Sequence, residues 1–307
     1  MHGLPNPGDR CWFNAGVQVL LHSPHLVNYV TSELFEQHLH GRRVNACAVA
    51  RAFAALAREY WRGNADGDAA VSAAAADVWT TFTKVHPRLA RGQHDVHEML
   101  VLMTRLLADA LAKGSRVSRA ESSTSASGAC DYDAWTAAAG AGFVPEIFMG
   151  QSRVGVTAAA GATAAAGATF DHWWGLSVGL DDVNTVSAAL AAEDAAETLE
   201  SGGVRTHAVT HAPPTLLVHL KRFEASGAKI DKFVGYDVDL ALGDARYMLF
   251  GVVLHTGDAG SGHYTTLAEH KGRWAFADDA AVTAVEDINK VVQKDAYVLL
   301  YKRRPAA

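Results

Sequence analysis

Apolar side chains recur at helical spacing through the first third of this chain and gather into β-branched and aromatic runs through the last third. That order limits the possible folds more than any other feature. Residues 13–22 place Val17, Leu20 and Leu21 on one helical face, and residues 46–61 repeat the pattern through Val49, Phe53, Leu56 and Tyr60. Residues 95–111 form the clearest helix: Leu100, Met103, Leu107 and Leu111 share a face, with Asp95 placed to cap the start. Residues 215–223, 247–255, 264–268 and 296–301 read as strands, with Gly257, Gly260 and Gly262 separating the second from the third. Helices followed by antiparallel strands predict an α+β fold. Between these regions, residues 113–133 are Ser-rich and read as a flexible connection, extended by 136–142, with order resuming near Phe143. Residues 188–200 read as a short helix ended by Gly202 and Gly203.

Composition excludes several classes. The 307 residues are 49% hydrophobic, enough to bury a core. A net charge of -6 and the lack of any block of like charge give no nucleic-acid footprint. The longest stretch without Asp, Glu, Lys or Arg, residues 11–32, contains Pro24, Asn14, Gln18, His22, His25 and Asn28 and is too polar to span a membrane. The next, 154–170, consists of Ala, Gly and Thr and falls short of the roughly 20 residues a spanning helix needs. It reads as a loop or weak hairpin. Residues 1–10 lack the apolar stretch of a signal peptide. The three cysteines, Cys11, Cys47 and Cys130, are odd in number and none pair at metal-ligand spacing. That usage suits a reducing compartment, cytoplasmic or nuclear. Cys47 lies in the apolar pattern of a helix and reads as core.

Three weak chemical signals occur in an informative order. Cys11 falls at the first turn of an expected helix, where the helix dipole favours a thiolate, although taken alone it reads more readily as a buried structural cysteine. His263 follows a Gly-rich turn and opens a strand, although a single His among 15 is ordinarily a polar surface residue. Asp278 and Asp279 end the next apolar run, where an acid can orient an imidazole, or simply form a turn. A cysteine near the N-terminus with His and then Asp far downstream is the papain-type arrangement.

The blocks Gly3 to Asn14 (GLPNPGDRCWFN), Gly92 to Leu100 (GQHDVHEML), Pro214 to Phe223 (PTLLVHLKRF), Gly262-His263-Tyr264, Trp274 to Asp279 and Asp295 to Tyr301 closely resemble, in order, the motifs of the ubiquitin-specific protease family. The resemblance implies a papain-like fold with a helical thumb, an antiparallel-sheet palm and reduced fingers. It implies one catalytic domain over 1–307: thumb 1–112, flexible connection 113–142, fingers and palm 143–307. It further implies that Cys11 attacks the carbonyl at the C-terminal Gly of ubiquitin, that His263 is its base, and that Asp278 orients His263, with Asp279 able to share that role. Asn6 matches the family's side-chain donor to the oxyanion, while also reading as a turn residue. Asp95 matches an acidic contact to the basic tail of ubiquitin, and also reads as a plain cap. Gln93 and Glu98 are expected to brace the local structure, and Gly262 and Tyr264 to wall the tunnel that admits the Gly-Gly end. Ubiquitin and its conjugates are the implied partners of a monomer.

The chain departs from the family in places. Asp9-Arg10 and Trp12 stand around the nucleophile where Asn-Thr and Tyr are usual, and Arg10 is placed to support a thiolate. Leu267 replaces an aromatic residue after Gly-His-Tyr. The finger segments 151–170 and 202–211 contain no cysteine, so no zinc and no other cofactor is expected, despite His207 and His211. The motifs fill the sequence from Gly3 to near Arg303, as in an excised or naturally minimal catalytic domain. Two alternatives stay open: a protease for another ubiquitin-like modifier, and a catalytically latent ubiquitin-binding module.

Overall fold

The helical spacing of the first third is realised as helices in the computed structural model of the protein, which describes residues 1–62, 67–111, 122–123, 142–157, 167–200 and 203–305. They are α1 (Cys11–Leu20), α2 (Pro24–Val30), α3 (Leu34–His38), α4 (Val44–Trp61), α5 (Gly67–Val85) and α6 (Val96–Leu111), followed by α7 (Phe143–Phe148). The three expected helices are α1, α4 and α6. The sequence reading missed α5, because only Val71, Val78 and Phe82 are fully buried in a helix whose alanines blur the polar face. Asp95 caps α6 as expected: its Oδ1 accepts from the Glu98 backbone N–H at 2.8 Å.

The last third supplies an eight-stranded sheet. Its members are β4 (Leu176–Val178), β7 (Thr215–Leu220), β8 (Asp239–Leu242), β9 (Ala245–Asp258), β10 (Ser261–His270), β11 (Arg273–Asp278), β12 (Ala281–Val285) and β13 (Ala296–Arg303). Their order is β12-β11-β10-β9-β13-β7-β4, with β8 paired to β9. The pairing is antiparallel except that β4 joins β7 in parallel. A second sheet of order β1-β3-β2-β6-β5 is built from β1 (Ser122–Ser123), β2 (Gly150–Thr157), β3 (Gly167–Trp173), β5 (Glu197–Thr198) and β6 (Val204–His211).

Several expectations are refined. Gly257 and Gly262 do not interrupt the strands but face one another within the β9–β10 ladder, so the break is confined to the turn at 259–260. The described parts of the 154–170 segment, 154–157 and 167–170, belong to strands that pair antiparallel, with Gly155 opposite Ala168. The 188–200 helix is shorter than its composition suggests. It is α8 (Val186–Glu193), capped by the Thr185 hydroxyl, which accepts from the Ala188 N–H. Glu197 and Thr198 leave it to pair with Arg205 and Val204, a competition won by cross-strand bonding. The Ser-rich connection, apart from 122–123 and 142, lies outside the described residues, as do Cys130, Gly202 and the centre of 157–169.

The large sheet is covered on both faces, which explains its continuous apolar strands. Alternate residues feed two cores: Leu217, Val298 and Leu300 join the helices, whereas Leu216, Val218, Leu299 and Tyr301 join the opposite cluster. Every residue of α1 is buried, because it is wedged between α6 and strands β9 and β10. Gly251 permits that approach, since a Cβ there would stand 2.3 Å from Val19 Cγ2. Arg222, 1% exposed, anchors the loop after β7 without any carboxylate: its guanidinium donates to the carbonyls of Ala296, Ile230, Lys232 and Lys294 at 2.6–3.0 Å. Among the described residues, no helix is long and apolar enough to cross a membrane.

Candidate active site

The first turn of α1 and the far ends of β10 and β11 meet at one place. α1 is tied to the sheet there by two side chains: Thr266 Oγ1 donates to Ala15 O at 3.1 Å, and Asn14 Nδ2 donates to Asp279 Oδ1 at 2.8 Å. Cys11 opens the helix and is 2% exposed. On the sheet, Thr266 pairs with Ala277. Continuing that register sets Thr265 opposite Asp278, and His263 diagonal to it on the same face. The diagonal is closed by a 2.6 Å bond from His263 Nε2 to Asp278 Oδ1. A carboxylate can only accept, so Nε2 carries the proton and the neutral ring keeps a basic lone pair on Nδ1.

The two adjacent acids do different things. Asp278 holds His263. Asp279 accepts from Asn6 Nδ2 at 2.9 Å and from Asn14 Nδ2 at 2.8 Å. Asp279 sits at φ 48°, a left-handed conformation that Asp tolerates better than most residues, and its carbonyl accepts the Leu4 N–H at 2.8 Å. The turn after β11 therefore aims one carboxylate at the imidazole and the other at the loop before α1. Asn6 is fixed from both ends, since its Oδ1 accepts the N–H groups of Gly8 and Arg10. Asn14 was quoted in the sequence motif but given no role. The signal that could have found it is a polar side chain, 7% exposed, on a helix buried all round.

The thiol environment differs from the simple helix-dipole expectation. Burial pushes the Cys11 thiol up, with Asp279's charge adding to the rise, while backbone N–H groups of Tyr264, Trp12 and Cys11 itself oppose it. Arg10 does not help, because its guanidinium lies 4.2 Å from the centre of the Trp79 ring.

The remaining expected residues surround this centre. Gln93 braces more than its own neighbourhood: its Oε1 accepts the Gly262 N–H at 2.9 Å, a bond from the helical half to the catalytic strand. Asp95 uses its second oxygen to accept from the Tyr297 hydroxyl. Glu98 pairs with Arg88 at the surface. Gly262 has to be glycine, because a Cβ would stand 2.0 Å from His255 Nε2. His255 was not foreseen. Its ring packs against Tyr264 at 4.5 Å, and burial lowers its pKa to about 4, so it serves as a neutral wall. A cavity of about 640 Å³ bounded by Asp9, Gln93, Thr256, Gly262 and His263 opens beside the imidazole. Cys47, as expected, is core: it is 3% exposed, with its thiol donating to His40 O.

A cysteine at a helix start and an imidazole bonded to a carboxylate on a facing sheet are the parts a papain-type thiol hydrolase uses. The ubiquitin carboxyl-terminal hydrolase family matches residues 2–301, and the chain belongs to that family. Human ubiquitin carboxyl-terminal hydrolase 15 is 43% identical over 108 residues, which cover 30% of this chain and 11% of that protein. Mouse ubiquitin carboxyl-terminal hydrolase 17-like protein B is 26% identical over 97% of this chain and 63% of its own length. The chain thus spans about a tenth of the first of these relatives and less than two thirds of the second. Among solved structures, the SAGA DUB module Ubp8/Sgf11/Sus1/Sgf73 matches with TM-scores of 0.82 bound to monoubiquitin and 0.81 bound to ubiquitin aldehyde. Both matches have 19% identity and cover all of this chain and 70% of the other. They show the fold: the helices are the thumb, the large sheet the palm and the second sheet the fingers.

Proposed function

We propose that the chain is a deubiquitinating thiol isopeptidase that hydrolyses the bond after the C-terminal Gly of ubiquitin. The observation that carries this reading is the pairing of His263 with Asp278 beside the helix that starts at Cys11. The Cys11 thiolate attacks the carbonyl, His263 Nδ1 takes the thiol proton and returns it to the leaving amine, and Asp278 stabilises the imidazolium. One Asn6 amide hydrogen is spent on Asp279, leaving the other to donate to the oxyanion. Such a donor is worth about 3 kcal/mol in the transition state. Gln93 holds the strand carrying His263 against the thumb, Glu98 braces the local structure through Arg88, Gly262 and Tyr264 wall the approach, and Asp95 is the acidic contact for the basic tail of ubiquitin. Residues 1–307 act as one catalytic domain, a monomer in the cytoplasm or nucleus: thumb 1–112, connection 113–142, fingers and palm 143–307.

The test is the initial rate of release of a fluorogenic amine from the C-terminus of ubiquitin. Turnover by the wild type and none by Cys11→Ser is the expected result. Equal turnover by the two would remove Cys11 from the mechanism, and turnover only of other modifiers would move the substrate.

A further inference from the structure

On another part of the molecule a cavity of about 630 Å³ opens between the end of α1, helices α2 and α4, and the turn joining β10 to β11. Its volume lies within the roughly 300–1,000 Å³ of ligand sites. One wall is flat and aromatic: Trp61 and His270 stack with ring centroids 4.1 Å apart. Leu21, Pro24, Val27 and Ala57 continue the apolar surface. Arg58, Arg62 and Lys271 also line the cavity, and no Asp or Glu does. On a chain of net charge -6, three cations around one opening mark a site for negative charge. Arg62 is partly neutralised by Glu59 at 3.0 Å, and Arg58 spends one amine on Val30 O. The Lys271 ammonium lines the opening without a hydrogen-bond or ion-pair partner among the described residues.

The cavity also borders a buried imidazole. His22, 6% exposed, lines it. Its Nδ1 is 2.8 Å from Gln18 O, so Nδ1 carries the proton, and Nε2 is a buried lone pair without a partner. Burial lowers the His22 pKa to about 4, so the ring stays neutral. Three cations beside a flat aromatic and apolar wall call for a guest that supplies both negative charge and an apolar side chain. Inorganic phosphate and a simple carboxylate lack the second, whereas an acidic peptide has both.

We propose that this cavity docks an acidic peptide segment of a partner protein. Its carboxylates meet Arg58, Arg62 and Lys271, and an apolar side chain lies on the Trp61–His270 wall.

The experiment uses the full chain and a fluorescein-labelled peptide alternating Glu with Leu and Phe, read by fluorescence anisotropy. A counterpart with Gln for Glu is measured in parallel, and inorganic phosphate and ATP serve as competitors. Saturable binding of the acidic peptide is expected, with a shift of the Trp61 indole N–H resonance, assigned by Trp61→Phe. Arg58→Gln and Lys271→Glu should each weaken binding roughly 10-fold, equivalent to about 1.4 kcal/mol. Lys271 is exposed on a turn, so Lys271→Glu remains decisive if Arg58→Gln folds poorly. The proposal is overturned by the absence of saturable binding or by equal binding of the Gln peptide. Affinity unchanged in Lys271→Glu, or displacement by phosphate or ATP with the same Trp61 shift, would overturn it equally.

Discussion

The thumb and the palm hold the groups proposed for catalysis in opposite ways. Cys11 is sealed at the start of a helix buried all round. The side chains of His263 and Asp278 are 42% and 47% exposed on strand ends. The thumb fixes position at the cost of a thiol that burial makes harder to ionise. The palm holds a well-formed hydrogen bond in water, where an ion pair is weak. In the proposed mechanism, a substrate tail filling the groove beside His263 would exclude that water and strengthen the bond when the imidazolium forms. Placement is thus built into the free protein, while full electrostatic strength waits for substrate.

The largest break in that comparison is removal of the buried nucleophile. Cys11→Ala should lower kcat/KM for a ubiquitin conjugate by roughly 10⁴-fold or more, with ubiquitin affinity by calorimetry unchanged. Next comes separation of the two adjacent acids. Asp278→Ala should cost about 10²- to 10⁴-fold in kcat and also slow alkylation of Cys11 by iodoacetamide, because His263 loses its orienter. Asp279→Ala should cost roughly 10²- to 10³-fold in kcat through misplaced Asn6, while leaving alkylation intact or faster, since a charge that raises the thiol is gone. Equal effects of the two on alkylation would erase the distinction.

The thiol itself gives a smaller, continuous test. With its pKa raised, Cys11 is less ionised at neutral pH than a free thiol, so its alkylation rate should climb with pH through a midpoint above the free-thiol value. A midpoint below that value would mean the helix start and its N–H groups outweigh burial. The smallest effect concerns stability. The folded pKa of His22 is depressed to about 4 from 6.5, so the unfolded chain binds more protons between those values. Stability should therefore fall as pH drops from about 6.5 towards 4, by up to about 3 kcal/mol from this group. Urea unfolding of wild type and His22→Gln at both ends of the window measures it, and a wild-type curve flat with pH would remove the claim.

Much of this was legible in the sequence because it is local. Cys11 at a helix start, Asp95 as a cap and the apolar strands follow from spacing alone. The order of motifs then singled out Cys11, His263 and Asp278, and the last two are hydrogen-bonded to one another. What was not legible depends on distant contacts. Nothing in Arg10's position beside Cys11 reveals that Trp79 captures it. Nothing in the Asp-Asp pair reveals that a left-handed Asp279 turns its carboxylate to Asn6 and Asn14. His255 under Gly262, and Gln93 bonded to the strand it faces, are likewise products of pairing between halves of the chain.

The most direct test of the central claim is ubiquitin carrying a C-terminal electrophile, incubated with the protein and followed by mass mapping of the adduct. A single adduct on Cys11, lost in Cys11→Ala and slowed in Asp278→Ala, is the predicted result. An adduct on Cys47, or none while a control deubiquitinase is labelled, would contradict it.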